Sequence, residues 1–348
     1  MKFGVFFLCE QPPWQSQRSA YADALDQAFY ADALGFDSVW IAEHHFSEYG
    51  TAPDVAVLAA ALAQRVKRMR IGTAVSILPF NHPIRTAESF AMVDVLSDGR
   101  LDFGVGRGYQ PGEFAGFGLP MVESRERFDE SLEIIQRAWT EEEVTFEGKF
   151  YQVRGVRVMP KPVQKPHPPI WGAAISPESF ELLAARGLRF LSAPSITPAS
   201  LMAESYRAYR RVWLASGHDA AALEVPALHF TYVGETDPGA RRDAEQSVMW
   251  YFRTIAEKIA PKTGEPVPPD YGFYARARRH LETVTFEQLY RDVLLFGDPG
   301  RVIERILALQ EDLGVTSLLC WTNFGGLPSD LARASIRRFA EKVIPKFR

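Results

Sequence analysis

Short apolar stretches alternate with amphipathic ones along this chain, and no other feature narrows its fold so far. Phe3–Leu8, Ser38–Ala42, Met69–Ile77, Leu101–Val105, Pro169–Ala174, Arg189–Ser192, Val225–Val233 and Ser317–Trp321 read as strands. Helical periodicity occupies Ala20–Leu34, Asp54–Val66, Ile84–Leu96, Arg125–Trp139, Pro177–Ala185, Ala199–Ala215, Ala240–Ile259 and Pro299–Leu313. Strand, helix, strand in strict order is the signature of βα units on a parallel sheet. Gly35, Gly187 and Gly314 stand where helices should stop before the next strand. Eight such units predict an α/β chain closed into a (β/α)₈ TIM barrel. An open doubly wound sheet is the alternative, but it needs a topological switch point and rarely uses eight units. Barrels of this kind run long as one domain, so residues 1–348 are read as a single unit.

Two stretches break the rhythm. Residues 141–168 carry Val144–Val153, which alternates around Gly148 like a hairpin, followed by a tail with Pro160, Pro162, Pro166, Pro168 and Pro169. This is expected to be an insertion after the fourth βα unit. Residues 258–285 contain Pro261, Gly264, Pro266, Pro268, Pro269 and Gly272 before a basic run at Arg276–His280. A loop of that length in a compact protein is usually functional or disordered, and a mobile lid over the strand C-termini is expected.

The formal net charge of -4 and the lack of a Lys/Arg cluster in the pattern of a reading helix exclude a nucleic-acid reader. No apolar run approaches the roughly 18 to 20 residues of a membrane span. Met1–Leu8 superficially resembles a signal peptide, but it is short and runs into Cys9-Glu-Gln-Pro-Pro13, so it is taken as the first strand. Two cysteines, Cys9 and Cys320, argue against a disulfide scaffold and for a reducing, cytoplasmic setting. Both stand at ends of strands that barrel closure makes neighbours, so they are expected near each other and unbonded.

The chemistry concentrates at strand ends. Glu43-His44-His45-Phe46 follows the second strand directly, where a barrel keeps its active site. Histidine changes its charge near neutrality, which suits proton transfer. Alternating strand residues face opposite ways, so His44 and His45 should not converge on one metal ion. One imidazole should line the pocket while the other packs or hydrogen-bonds at the rim. Phe103-Gly-Val-Gly-Arg107-Gly108 closes the fourth strand with glycines around one arginine, a phosphate grip or a tight turn with a surface arginine. It has neither dinucleotide-fingerprint nor P-loop spacing. Ser176-Pro-Glu-Ser179 opens a helix by ordinary capping. With Arg107 on the neighbouring unit it would also hold a phosphate from two sides. Glu113 lies on the loop after the fourth strand; folded inward, it would orient His44 as the acid partner of a dyad. Trp250-Tyr251 reads as helix core. No nucleophile elbow or Schiff-base lysine appears, so redox or proton chemistry with an organic cofactor fits better than hydrolysis.

Met1-Lys-Phe-Gly4, Gln11-Pro-Pro13, Gly35-Phe-Asp37, Glu43-His-His-Phe46, Gly72-Thr-Ala74, His82-Pro83, Gly99-Arg100, Arg107-Gly108, Ser124-Arg125, Ser176 and Gly297-Asp-Pro299 together resemble the bacterial luciferase-like flavin-dependent monooxygenase family, nearest its α-subunit branch. The resemblance runs nearly end to end. It implies a barrel that binds FMN, supplied as FMNH₂ by a separate NAD(P)H:flavin reductase. It further implies reaction of that flavin with O₂ through a C4a-peroxyflavin to oxygenate a small organic substrate. Residue by residue, His44 matches the catalytic histidine, Glu43 lies by the flavin and Glu113 is an acidic residue near the histidine. Ala74-Val75 matches a non-prolyl cis peptide beneath the flavin ring. Arg107, Arg125, Ser176 and Ser179 match phosphate ligands, and Ala173 and Trp250 complete the cofactor-binding set. Glu88 and His45 match dimer-interface positions, which makes a homodimer the expectation.

The chain also departs from the family. A reactive cysteine is replaced by Gly106, an acidic residue by Ile175 and an aromatic by Pro194. A substrate other than a long-chain aldehyde, oxidised without light, is therefore expected. The rival readings are an F420-dependent hydride-transfer enzyme of the same superfamily and a non-enzymatic flavin-holding protein. Storage does not require proton transfer, so His44 and the lid argue against the second.

Overall fold

The computed structural model describes residues 1–192, 199–260 and 271–348. Its strands are β1 (Lys2–Phe7), β2 (Ser38–Ile41), β3 (Arg70–Thr73), β4 (Ser76–Ile77), β5 (Leu101–Gly106), β6 (Val144–Glu147), β7 (Gln152–Val156), β8 (Ile170–Ala173), β9 (Arg189–Leu191), β10 (Pro226–Val233), β11 (Leu295–Gly297) and β12 (Ser317–Asn323). Parallel pairing runs β10-β12-β1-β2-β3-β5-β8-β9. The remaining seam is bridged where the Leu228 N–H of β10 donates to the Ser192 carbonyl just past β9, at 3.2 Å. The result is an α/β (β/α)₈ barrel.

Helices α1 (Gln17–Leu34), α2 (Val55–Arg65), α3 (Pro83–Leu96), α4 (Pro111–Phe117), α5 (Ser124–Thr140), α6 (Pro177–Ala185), α7 (Ala199–Ala215), α8 (Asp237–Lys258), α9 (Gly272–Leu281), α10 (Phe286–Asp292), α11 (Pro299–Leu313) and α12 (Ser329–Arg338) accompany the sheet. The expected stops at Gly35, Gly187 and Gly314 all have φ between 63° and 90°. Starts are capped by side chains, Asp54 before α2 and Asp298 before α11 among them.

Strand alternation divides the apolar residues between two layers. Phe3, Val5 and Phe7 face the helices, whereas Phe6 joins Trp40, Trp171, Phe230 and Trp321 in the second cluster, inside the barrel. The interior is aromatic: Phe230 stacks on Trp321 at 4.3 Å and Trp40 meets Trp171 edge-on at 5.2 Å. Gly72 is required beside Trp40, because a Cβ there would lie 2.2 Å from the indole. At the strand N-termini, the guanidinium of Arg70 grips buried Asp102 through Nε at 2.6 Å and Nη2 at 3.0 Å. Trp171 Nε1 donates to the same carboxylate at 3.2 Å.

The single strand expected over Met69–Ile77 is broken into β3 and β4 by a cis peptide at Ala74–Val75. A further strand, β11, escaped the apolar pattern and pairs with the outer end of β10. β6 and β7 form the expected antiparallel hairpin, held to α5 because the Glu130 carboxylate accepts the N–H groups of Lys149, Phe150 and Tyr151. Pro194 and residues 261–270 of the expected lid lie outside the described residues. Around the latter, Lys258 ends α8 and Gly272 begins α9.

Candidate active site

Glu43, His44 and His45 leave β2 buried at the C-terminal end of the barrel. The Glu43 N–H donates to the Val75 carbonyl at 3.1 Å, tying this turn to the cis peptide. Glu43 Oε2 accepts from the Ser76 hydroxyl at 3.1 Å and the Ile77 N–H at 3.0 Å, and Oε1 from Asn81 at 3.2 Å. The two imidazoles then diverge, as strand geometry requires. His45 places Nε2 3.1 Å from Glu43 Oε1 and packs among Phe46, Phe80 and Phe117. His44 places Nδ1 2.8 Å from Glu113 Oε1, with Gln110 Nε2 3.2 Å away.

The carboxylate reaches His44 because the loop after β5 winds into α4, which starts at Pro111 and carries Glu113 in its first turn. Glu113 Oε1 also accepts the His45 N–H at 3.0 Å. Its Oε2 is buried with no partner among the described residues. With Nδ1 committed to Glu113, Nε2 is the nitrogen His44 offers to the cavity. No group of three or more His, Cys, Asp or Glu side chains suited to a metal ion occurs among the described residues.

A cavity of about 270 Å³ occupies the barrel mouth and is lined by Glu43, His44, Ala74, Val75, Arg107, Arg125, Ala173, Ser176 and Ser179. The structure thus brings eight of the expected site residues, together with Glu43, onto one wall system. Arg107 and Arg125 share this lining with the start of α6, where Ser176 and Ser179 form a reciprocal cap. Two guanidinium groups, hydroxyls and the N–H ends of a helix suit a phosphate dianion. Glu113 stands behind His44 rather than on the wall. Trp250 does not reach the cavity: one residue around the helix from Tyr251, it packs edge-on against Trp14 at 6.3 Å. Its neighbour Tyr251 faces the cavity instead.

Gly106 explains one departure from the family pattern. A Cβ added there would lie 2.5 Å from a Val75 methyl, so the Val75 side chain fills the room a cysteine would need. Ile175 makes the cavity wall apolar beside Ser176.

Sequence reasoning missed the tyrosines. Tyr109 donates to the Tyr49 hydroxyl at 3.1 Å, and the Tyr49 and Tyr251 hydroxyls are 2.9 Å apart. The Tyr109 ring stacks on Tyr274 at 5.2 Å and 4°, and Tyr49 abuts His44 edge-on at 4.8 Å. Burial pushes the pKa of Tyr49, Tyr109 and Tyr251 up, keeping each phenol protonated at neutral pH. The only sequence signal was Tyr109 itself, next to the Arg107-Gly108 motif.

The family model for luciferase-like monooxygenases matches residues 1–317. An alkanal monooxygenase alpha chain of Photorhabdus luminescens is 32% identical, over 99% of this chain and 96% of its own. The oxygenase component of a flavin-dependent trigonelline monooxygenase from Acinetobacter baylyi is 27% identical, over 100% and 96%. Among solved structures, monooxygenase RslO1 from Streptomyces bottropensis superposes with TM-score 0.87 at 31% identity, covering 100% of both chains. The oxygenating constituent of 3,6-diketocamphane monooxygenase from Pseudomonas putida, in complex with FMN, shares the fold at TM-score 0.83, with 21% identity over 99% and 98%. An F420-dependent secondary alcohol dehydrogenase shares it at 0.79, with 19% identity over 100% and 99%. With this barrel, this histidine–carboxylate pair and these matches, the chain is an enzyme of the luciferase-like monooxygenase family.

Proposed function

We propose that this enzyme is the oxygenase of a two-component system, taking reduced FMN from a separate NAD(P)H:flavin reductase and O₂ to oxygenate a small organic substrate without emitting light. The observation that carries the reading is the His44–Glu113 pair at the wall of a cavity whose other end is built for a phosphate. FMN fits the donor set: Arg107, Arg125, Ser176 and Ser179 would hold the phosphate, and the Ala74–Val75 turn and Ala173 would flank the ring. When bound and reduced, flavin supplies the electrons that activate oxygen. The protein's own part is proton handling and exclusion of water. Glu113 fixes the His44 tautomer with Nδ1 toward itself, leaving Nε2 to give or take a proton in the cavity. Glu43, held by Ser76, Ile77 and Asn81, keeps the turn at Ala74–Val75 in place. Val75 in the space beside Gly106, and Ile175 beside the anion end, support a substrate other than a long-chain aldehyde.

The enzyme is further read as a cytoplasmic homodimer. No helix among the described residues is long and apolar enough to cross a membrane. Val57 on α2 and Met92, Val95 and Leu96 on α3 are exposed, on adjacent helices. Exposed large apolar side chains on neighbouring helices are typical of an interface.

The test is stopped-flow mixing of protein and anaerobic FMNH₂ with oxygenated buffer. Protein that slows flavin reoxidation far below the rate of free FMNH₂ supports the reading. Protein that leaves that rate unchanged, but binds F420 and reduces or oxidises it without O₂, replaces the reading with hydride transfer.

A further inference from the structure

We infer that the Tyr49–Tyr251 pair carries one uncommitted O–H donor that seats the carbonyl-type oxygen of an aromatic substrate, across the cavity from its anion-binding end. The inference rests on the proposed function, in which this cavity holds an organic substrate beside the flavin.

The argument is a proton count. A phenol has one donor hydrogen. Tyr109, Tyr49 and Tyr251 therefore hold three, and two hydrogen bonds connect them. The Tyr109 proton is committed to the Tyr49 oxygen. Whichever way the Tyr49–Tyr251 bond runs, one proton of that pair has no acceptor among the described residues. Both side chains are buried and both line the cavity. Buried donors are nearly always paired, so this one is placed for a molecule that enters the cavity.

Position and charge narrow that molecule. Tyr251 sits on α8 against Trp321 of β12, with ring centroids 4.7 Å apart, and Phe6 of β1 packs on the same indole. Arg107 and Ser176 follow β5 and β8, several strands around the barrel from β1 and β12. The cationic residues among the described cavity lining, Arg107 and Arg125, belong to the anion end. The tyrosine end therefore suits a neutral acceptor rather than a carboxylate. Trp321 and Phe6 give that end flat apolar walls, which suit an aromatic body.

The test compares acetophenone with ethylbenzene, which have similar size and differ at the carbonyl. Titration calorimetry on the FMN-loaded protein, repeated without FMN, measures both. The wild type is expected to bind acetophenone about five- to tenfold more tightly, the increment of one neutral hydrogen bond. Tyr251→Phe leaves the Tyr49 proton spare and Tyr49→Phe leaves those of Tyr251 and Tyr109, so each single variant keeps the preference. The triple variant Tyr49→Phe/Tyr109→Phe/Tyr251→Phe, which also removes the Tyr109 proton that Tyr49 would otherwise release, loses the preference while its FMN affinity, which also shows that it folds, is unchanged. Equal binding of the two probes by the wild type overturns the inference without need of any variant. So does a triple variant that retains the preference, or one whose main loss is FMN affinity, since the donor would then serve the flavin. Failure of the wild type to bind FMN at all would sink the proposed function separately, leaving the flavin-free probe ratio to decide this inference.

Discussion

His44 divides its two nitrogens between separate tasks, and that division is what a substitution would expose. Nδ1 is held by Glu113 at 2.8 Å, and Nε2 is left to the cavity. His44→Ala should leave FMNH₂ binding within a few-fold and lower turnover by about 10²- to 10⁴-fold, the usual range for general acid–base catalysis. Comparable losses in binding and turnover would make the residue structural. Arg107 invites a different comparison. Arg107→Ala should weaken FMN by about tenfold or more beyond any effect on riboflavin, because a charged hydrogen bond to phosphate is lost. Equal weakening of the two ligands would put the phosphate elsewhere. The histidine and the arginine were legible because titratable or glycine-flanked residues at the end of an apolar strand have no packing reason to be there. The tyrosine chain was not, since Tyr49 and Tyr251 meet across 202 residues of sequence and each alone looks like core. Trp250 entered the cofactor-binding set through the family resemblance alone; its own pattern read as helix core, and it packs on Trp14.

At the scale of elements, β10 carries a built-in acid sensitivity. His229 on this strand donates Nδ1–H to the Val293 carbonyl at 3.1 Å, just before β11, and Nε2 is buried without a partner among the described residues. Burial pulls its pKa down from 6.5 to about 4. Between those values the unfolded chain takes up a proton that the folded one refuses, so stability falls as pH drops through that window. At pH 5 the loss should be about 2 kcal/mol relative to pH 7. Urea unfolding at the two pH values should show it, and His229→Gln should flatten the difference; an unchanged slope would place the acid sensitivity elsewhere. The elements themselves were legible where they were long. α6, α7 and α11 begin and end where periodicity put them. β11, three residues long, offers too short an apolar run to read. α4, the helix that carries Glu113 inward, has seven residues with two glycines among them, and pattern alone cannot distinguish it from loop.

For the whole molecule, the apolar faces of α2 and α3 make a prediction about assembly. Analytical ultracentrifugation should give twice the mass of one chain, and Met92→Glu with Leu96→Glu should shift the population toward one. A wild type that sediments as a single chain at micromolar concentration would remove the homodimer from the proposal. The barrel as a whole also separates what keeps it folded from what it does. Arg70, Asp102 and Trp171 lock the strands together at the end where they begin, far from the tips that carry Glu43, His44 and Arg107. Loops at the mouth can therefore be lengthened, shortened or exchanged without disturbing that lock. An ancestor with this floor could pass to its descendants one oxygen-handling scaffold and many substrate preferences, and new specificity would be sought most profitably by shuffling mouth loops while leaving the three floor residues untouched.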